Sequence, residues 1–336
     1  AAKAAYTALL TGDFPDPVTI RLPRGQTPSF PLARKSVGGG SATAGIIKDA
    51  GDDPDVTHGA LIVVTVRAGQ AGAGITFHAG EGVGTVTRPG LPIPPGEPAI
   101  NPAPRKMIRE ALDAIAAAQG VAGDVAVTIA IPGGAKIAER TWNPRLGITG
   151  GLSVLGTTGI VIPYSCSAWI HSIRQGIDVA RANGIPHIAG ATGKTSEAAV
   201  RRFHGLEEES VVDMGDFVGG MLKYLNTHPL PRVTIAGGFA KLTKLAQGHL
   251  DLHSARSQVD LDRLAALAGT LGADPDIQAS IRGANTAAQA LGLAPALPDA
   301  VARLAREEAL RVLSGDIAVD ILVVDRQGEA IGHAGP

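Results

Sequence analysis

A single cysteine in 336 residues, Cys166, leaves no partner for an internal disulfide, which excludes a small disulfide-stapled scaffold. Charge of one sign is also lacking: 30 basic and 31 acidic side chains give a formal net charge of −1. Nucleic acid or an anionic membrane would need a pronounced basic excess, so neither is expected as a partner, and an anionic ligand must be met by local basic clusters. Although 45% of residues are hydrophobic, no run approaches the roughly 20 apolar residues of a spanning helix. No basic, apolar leader opens the chain, and the expectation is a soluble cytoplasmic protein. Ala1 to Leu10 (AAKAAYTALL) reads as helix entered midway, with neither initiator Met nor capping residue, so the natural N-terminus is expected upstream.

The length suits two domains, each able to bury its own core. Up to about residue 142 the text reads as α+β. Asp16–Leu22 and Ala60–Ala68 carry β-branched strand composition, Gly72–His78 does so more weakly, and Val125–Ile131 follows a helix over Arg105–Gln119. Pro89–Pro104 (PGLPIPPGEPAINPAP) holds seven prolines in sixteen residues, which forbids a helix interior or central strand and predicts an ordered extended loop. Residues 143–336 are assigned to a second domain. There helices 168–182, 196–203 and 218–225 alternate with strands 186–191, 210–214 and 232–236. This βα order predicts a Rossmann-like α/β domain with a mainly parallel sheet and ligands beyond the carboxyl ends of the strands. Helices 241–247, 261–271, 275–291 and 298–313 and a strand over 318–324 complete it.

Several motifs invite chemistry and fall short. Ala191–Thr195 (ATGKT) resembles a nucleotide P-loop, but the spacing requires glycine where Ile188 stands; what remains is a strand-loop-helix junction whose N–H groups and Lys194 suit an anion. Gly82-Val83-Gly84 is followed by Thr87 where a dinucleotide loop needs its last glycine, which disfavours a nicotinamide-dependent dehydrogenase. His249 and His253 would share one face of a helix, yet no third metal ligand is apparent. Cys166 and His171 form a conceivable thiolate-imidazole pair, though a buried small hydrophobe is the better reading of the cysteine. The aspartates of Lys48–His58 lack calcium-loop spacing and suit solvated turns. Two junctions are harder to set aside. Asp213-Met214-Gly215-Asp216 and Ala236-Gly237-Gly238-Phe239 both follow strands, which predicts a shared crevice with carboxylates at its rim.

Four strings, Gly45–Gly59 (GIIKDAGDDPDVTHG), Gly82–Pro104 (GVGTVTRPGLPIPPGEPAINPAP), Asn143–Gly159 (NPRLGITGGLSVLGTTG) and Ala236–Ser254 (AGGFAKLTKLAQGHLDLHS), resemble successive signatures of the CbiD family, in order, over nearly the whole chain. Members of that family usually open with a Thr-Thr-Gly-containing, Cys- and Ala-rich segment whose tail Ala1–Ala5 resembles and whose first part is absent here. The resemblance implies methylation of carbon 1 of cobalt-precorrin-5B to cobalt-precorrin-6A in the anaerobic cobalamin pathway. S-adenosylmethionine would be the methyl donor, and cobalt would be carried by the substrate, not held by the protein. It hands over no established catalytic residues, so the site is assigned from the residues themselves. Glu97, Asp213 and Asp216 are candidates for managing charge on the macrocycle, and Glu97 and Asn101 are expected to point into the corrin-binding cleft from the Pro-rich wall, so that Glu97, Asn101 and Asp216 are the catalytic candidates. Thr192, Gly193, Lys194, Asp213, Gly215, Gly237 and Gly238 are candidates for the donor. Arg88, Arg105, Lys106, Arg145, His249 and His253 are candidates for the carboxylate-rich substrate. Competing readings are a non-catalytic corrin carrier and a small-molecule kinase. A homo-oligomer is compatible with all of them.

Overall fold

The computed structural model describes all 336 residues, which divide into two compact units, Ala1–Ser165 and Cys166–Pro336. Both mix helix and strand.

The first unit begins with α1 (Ala2–Thr11), β1 (Val18–Thr19), β2 (Ser29–Phe30), β3 (Arg34–Gly38), β4 (Ser41–Ile47) and β5 (Leu61–Ala68). It continues through β6 (Ile75–Ala79), β7 (Thr85–Val86), α2 (Pro102–Gln119), β8 (Val125–Ala130), α3 (Gly134–Ala138) and β9 (Ile148–Thr149). Its main sheet has the order β3-β4-β5-β8-β6, antiparallel except for the β6–β8 pair. Alternation sorts the strands. Ala44, Val64, Val66, Val127 and Ile129 join the core formed with Ala4, Ala5 and Tyr6 of α1 and Leu112 and Ala116 of α2. On the opposite face Thr65 lies in register with Thr43 and Thr128, and its hydroxyl bonds that of Thr43 at 2.8 Å. A one-sided core of this kind gives the period-two pattern.

Residues 143–165, assigned from the sequence to the second domain, lie in the first unit because their backbone is consumed there. β9 pairs with β7, Leu152 N–H donates to Gly82 O, Asn101 N–H to Val154 O, and Tyr164 N–H to Asp53 Oδ1. Two of the glycines are required by this crossing. A Cβ on Gly82 would lie 2.0 Å from Ile131 O, and one on Gly151 only 2.3 Å from the Gly82 carbonyl.

The second unit runs α4 (Cys166–Ala182), β10 (His187–Ala191), α5 (Lys194–His204), β11 (Val211–Asp213), α6 (Val218–Leu225), β12 (Arg232–Gly238) and α7 (Phe239–Ala246). It ends α8 (Leu261–Thr270), α9 (Pro275–Arg282), α10 (Ala287–Leu293), α11 (Leu297–Val312), β13 (Ala318–Val324) and β14 (Ala330–Ala334). Sheet order is β11-β10-β12-β13-β14, parallel except for the last pair. The central strands are buried nearly throughout, as strands covered on both faces must be. α5 covers one face, with Ala199 and Val200 against Ala189, Ala191, Ala236, Leu322 and Val324. On the other face Met221 of α6 fills the space over Gly190, and Pro298 of α11 that over Gly332.

Several sequence expectations change in detail. The helix expected over 275–291 is two, broken where Gly283 to Asn285 leave the helix. α2 begins at Pro102, not Arg105. β3, β4 and β14 went unrecognised: glycine and lysine dilute the first, and alanine and glycine the other two. Cys166 is exposed on α4, contrary to the buried reading, and His171, five residues on, points about 140° away around the helix. Lys48 binds Asp55 and Thr57, and Asp49 and Asp55 each accept a backbone N–H two residues on, so the acidic stretch is turn chemistry.

Candidate active site

In the second unit three strand-to-helix junctions interlock at the carboxyl edge of the sheet. Thr192 N–H, just past β10, donates to Ala236 O of β12 at 3.0 Å, and Met214 and Gly215 after β11 donate to Ala191 O. Thr192 also packs on Gly237, where an added Cβ would meet its Cγ2 at 2.9 Å. An open cleft of about 260 Å³ lies at this edge. Thr192, Gly193, Lys194 and Gly238 line it, together with Thr195, Ser196, Val324, Asp325 and Arg326.

The sequence reading missed those last five. Their signal was present, since Asp325 and Arg326 follow the final parallel strand and obey the same carboxyl-end rule. The lining is polar: three hydroxyls, two cations and one carboxylate, with the open N–H groups of α5's first turn. An anionic or zwitterionic group suits that set. Ser196 Oγ donates to Gly193 O at 2.9 Å and Asp325 Oδ1 accepts from Gln327 and Glu329 N–H, so both cleft walls are braced.

Asp213 and Asp216 occupy the neighbouring β11 junction. Asp213 Oδ1 accepts from Gly215 N–H at 3.2 Å, while its carbonyl accepts from the Trp169 indole at 3.0 Å. Asp216 is ion-paired with Lys241 at the start of α7. His249 and His253 lie in a loop after α7, which corrects the helical reading; no shared helix face presents them to one ion. That loop is nonetheless attached to this edge, with Leu252 N–H donating to Asp216 O and Gly219 N–H to Leu250 O.

The remaining candidates belong to the first unit. The Pro-rich string is bonded down as an extended segment: Val86 N–H donates to Glu97 O, Gly96 N–H to Val86 O, and Ala99 N–H to Gly84 O. Arg105 is not an outward-facing substrate arm. Its Nε donates to Ile100 O at 2.8 Å and its Nη2 to Pro98 O at 3.1 Å and Glu97 Oε2 at 3.0 Å, while its guanidinium lies over Phe77. The α2 N-terminus is a poor anion site, because Pro102 and Pro104 bring no N–H and Arg105 N–H is bonded to Asn101 O. Lys106 points outward to Glu110, four residues on. Arg88 packs its stem over Gly147, and Arg145 lies over the Trp142 ring. The Asn101 side chain makes no capping hydrogen bond.

Comparison with known proteins decides the family. The family model described as CbiD matches residues 1–163, and that described as CbiD, C-terminal domain matches 251–335. A protein of Paramagnetospirillum magneticum is 63% identical over 99% of this chain and 94% of its own length. This chain belongs to the CbiD family. Two other relatives of this family member come from Bradyrhizobium sp., 60% identical over 99% of this chain and 90% of that one, and from Halorhodospira halophila, 57% identical over 100% and 91%. All three are named cobalt-precorrin-5B C(1)-methyltransferase. A crystal structure described as cobalamin biosynthesis protein (cbiD) from Archaeoglobus fulgidus is 24% identical over 71% of this chain and 74% of its own, with a TM-score of 0.38.

Proposed function

We propose that this CbiD family member transfers a methyl group from S-adenosylmethionine to carbon 1 of cobalt-precorrin-5B, giving cobalt-precorrin-6A and S-adenosylhomocysteine. The observation that supports this is identity of 63% over 99% of the chain with a protein named for that methyl transfer. The macrocycle carbon supplies the electron pair of the new C–C bond, and the pair of the breaking S–C bond leaves with sulfur. No nucleophilic side chain is required, so the protein's work is alignment, worth about 7–11 kcal/mol in favourable cases.

The donor is assigned to the second unit, read as Rossmann-like. Strand order reverses direction between β10 and β12, and the cleft opens at that switch. At about 260 Å³ it is smaller than the roughly 300–1,000 Å³ of a site enclosing a whole drug-sized ligand, so it is assigned to the amino-acid end of the donor. The methionine carboxylate would face the α5 N-terminus and Lys194, and Asp325 its ammonium. Within the second unit, the Asp216–Lys241 pair and the His249–His253 loop lie along the same carboxyl edge as the cleft. In the first unit, the pinned Glu97–Asn101 segment, Arg88 and Arg145 are assigned to substrate, with the Asn101 amide, which makes no capping hydrogen bond, as the contacting group.

The test is a methyl-transfer assay on the cobalt intermediate, with product mass showing one added methyl. S-adenosylhomocysteine binding lost in Lys194→Ala but kept in Glu97→Gln and Asn101→Ala, with slowed transfer in the latter two at unchanged melting temperature, supports the division. Wild-type transfer by both loop variants removes the loop from the active site.

A further inference from the structure

The other end of the same sheet carries a second cluster of polar side chains, at the amino ends of the parallel strands and under the last turn of α5. His187 opens β10, Arg232 opens β12, and Thr234 and Asp320 are register neighbours on β12 and β13. His204 closes α5 above them, and His333 reaches in from β14. The ligand atoms of His187, His204 and Asp320 lie within 4.8 Å of one another. His204 Nε2 is buried and has no hydrogen-bond partner, an uncommon state for a buried polar nitrogen. Asp320 is fully buried.

We propose that His187, His204 and Asp320 form a binding site for a divalent transition-metal ion of the zinc class, which ties the end of α5 to β10 and β13. Two imidazole nitrogens and one carboxylate oxygen are a donor set of borderline softness that such ions favour over magnesium or calcium. Around zinc, bonds of about 2.0–2.1 Å put tetrahedral ligands roughly 3.4 Å apart, so three groups within 4.8 Å of one another close by up to about 1.4 Å on the ion. A 2.7 Å bond between His187 Nε2 and the Thr234 hydroxyl sets the orientation of the ring.

Arg232 is the opposing group, since its fork holds both oxygens of Asp320 at 2.7 and 2.8 Å. An ionised carboxylate offers roughly four lone-pair sites, so the fork does not exhaust it, and His333 Nε2 already approaches Oδ1 at 3.4 Å from the side. The guanidinium tempers the affinity and ensures that the carboxylate is not left unpaired without the ion. The site lies at the far end of the strands from the cleft, so the ion is structural. This reading is independent of the methyl-transfer assignment and departs from the sequence expectation of no protein-bound metal.

The full chain, stripped with a chelator and freed of any tag, is titrated with Co²⁺ and the ion is displaced with Zn²⁺. One equivalent with a visible spectrum of low-coordinate N/O cobalt, and a raised melting temperature with Zn²⁺, are expected. His204→Gln and His187→Gln should each weaken binding by more than the roughly 10–100-fold that loss of a partner behind a ligand costs. Anomalous scattering at the zinc edge from crystals grown with Zn²⁺ should peak among the three side chains, a readout that does not depend on the variants folding. No stoichiometric binding, wild-type binding by both variants, or an anomalous peak elsewhere overturns the site and leaves a buried water as the partner of His204 Nε2.

Discussion

Replacing Arg105 with alanine removes a side chain that holds the Pro-rich segment. Its side chain is 18% exposed, and its donors go to Ile100 O, Pro98 O and Glu97 Oε2. The Glu97 pair is the weakest contributor: that carboxylate is 45% exposed, and exposed pairs contribute about 0–1 kcal/mol. The two carbonyl bonds come from a charged donor, for which roughly 1.5–3 kcal/mol each is usual, reduced where water replaces the guanidinium. Adding the lost packing over Phe77, Arg105→Ala should cost the first unit about 2–4 kcal/mol. With a urea slope of about 2–3 kcal/mol per molar, its unfolding midpoint falls by about 1 M. Arg105→Lys should recover less than half, because an ammonium cannot reproduce the planar fork. The assay is urea unfolding followed by circular dichroism, with limited proteolysis of residues 89–104 as a local probe. A stability loss for Arg105→Ala below about 0.5 kcal/mol, the range of an ordinary surface substitution, refutes the staple.

Gly237→Ala should push Thr192 towards the cleft, since the new Cβ would stand 2.9 Å from Thr192 Cγ2 and 3.0 Å from its Oγ1; calorimetry should find weaker S-adenosylhomocysteine binding, and wild-type affinity counts against the cleft as the donor site. Gly151→Ala should cost at least about 3 kcal/mol, at the upper end of overpacking, because the intruded atoms are the Gly82 backbone and cannot rotate away; soluble expression with a near-native melting temperature contradicts the crossing. Burial, followed by the hydrogen bond to Asp178, pushes the Tyr224 phenol up to about 12. Folding raises this pKa above the ordinary 10, so the interaction stabilises the native state below pH 10 and is lost as pH rises through about 12. Ultraviolet titration should reveal a late-ionising phenol that Tyr224→Phe removes, and identical titrations of the two proteins would falsify it.

Local patterns carried much of the fold. The Leu61–Ala68 and Val125–Ala130 strands, the run of prolines, and the βα alternation from Cys166 onward are legible because period, β-branching and proline act within a few residues. Family membership was legible for the same reason, in four strings of linear text. The carboxyl-edge candidates followed from strand order alone, and Thr192, Gly193, Lys194 and Gly238 do share a cleft. Only tertiary structure decided the rest, because it depends on which distant backbones meet. Arg105 reads as a substrate-facing cation until its fork is seen closing on Ile100 and Pro98. Gly82 and Gly151 read as loop glycines until their main chains cross with no room for a Cβ. His187, His204 and Asp320, spread over more than a hundred residues, carry no spacing signature; parallel pairing of β10, β12 and β13 and the length of α5 bring them together.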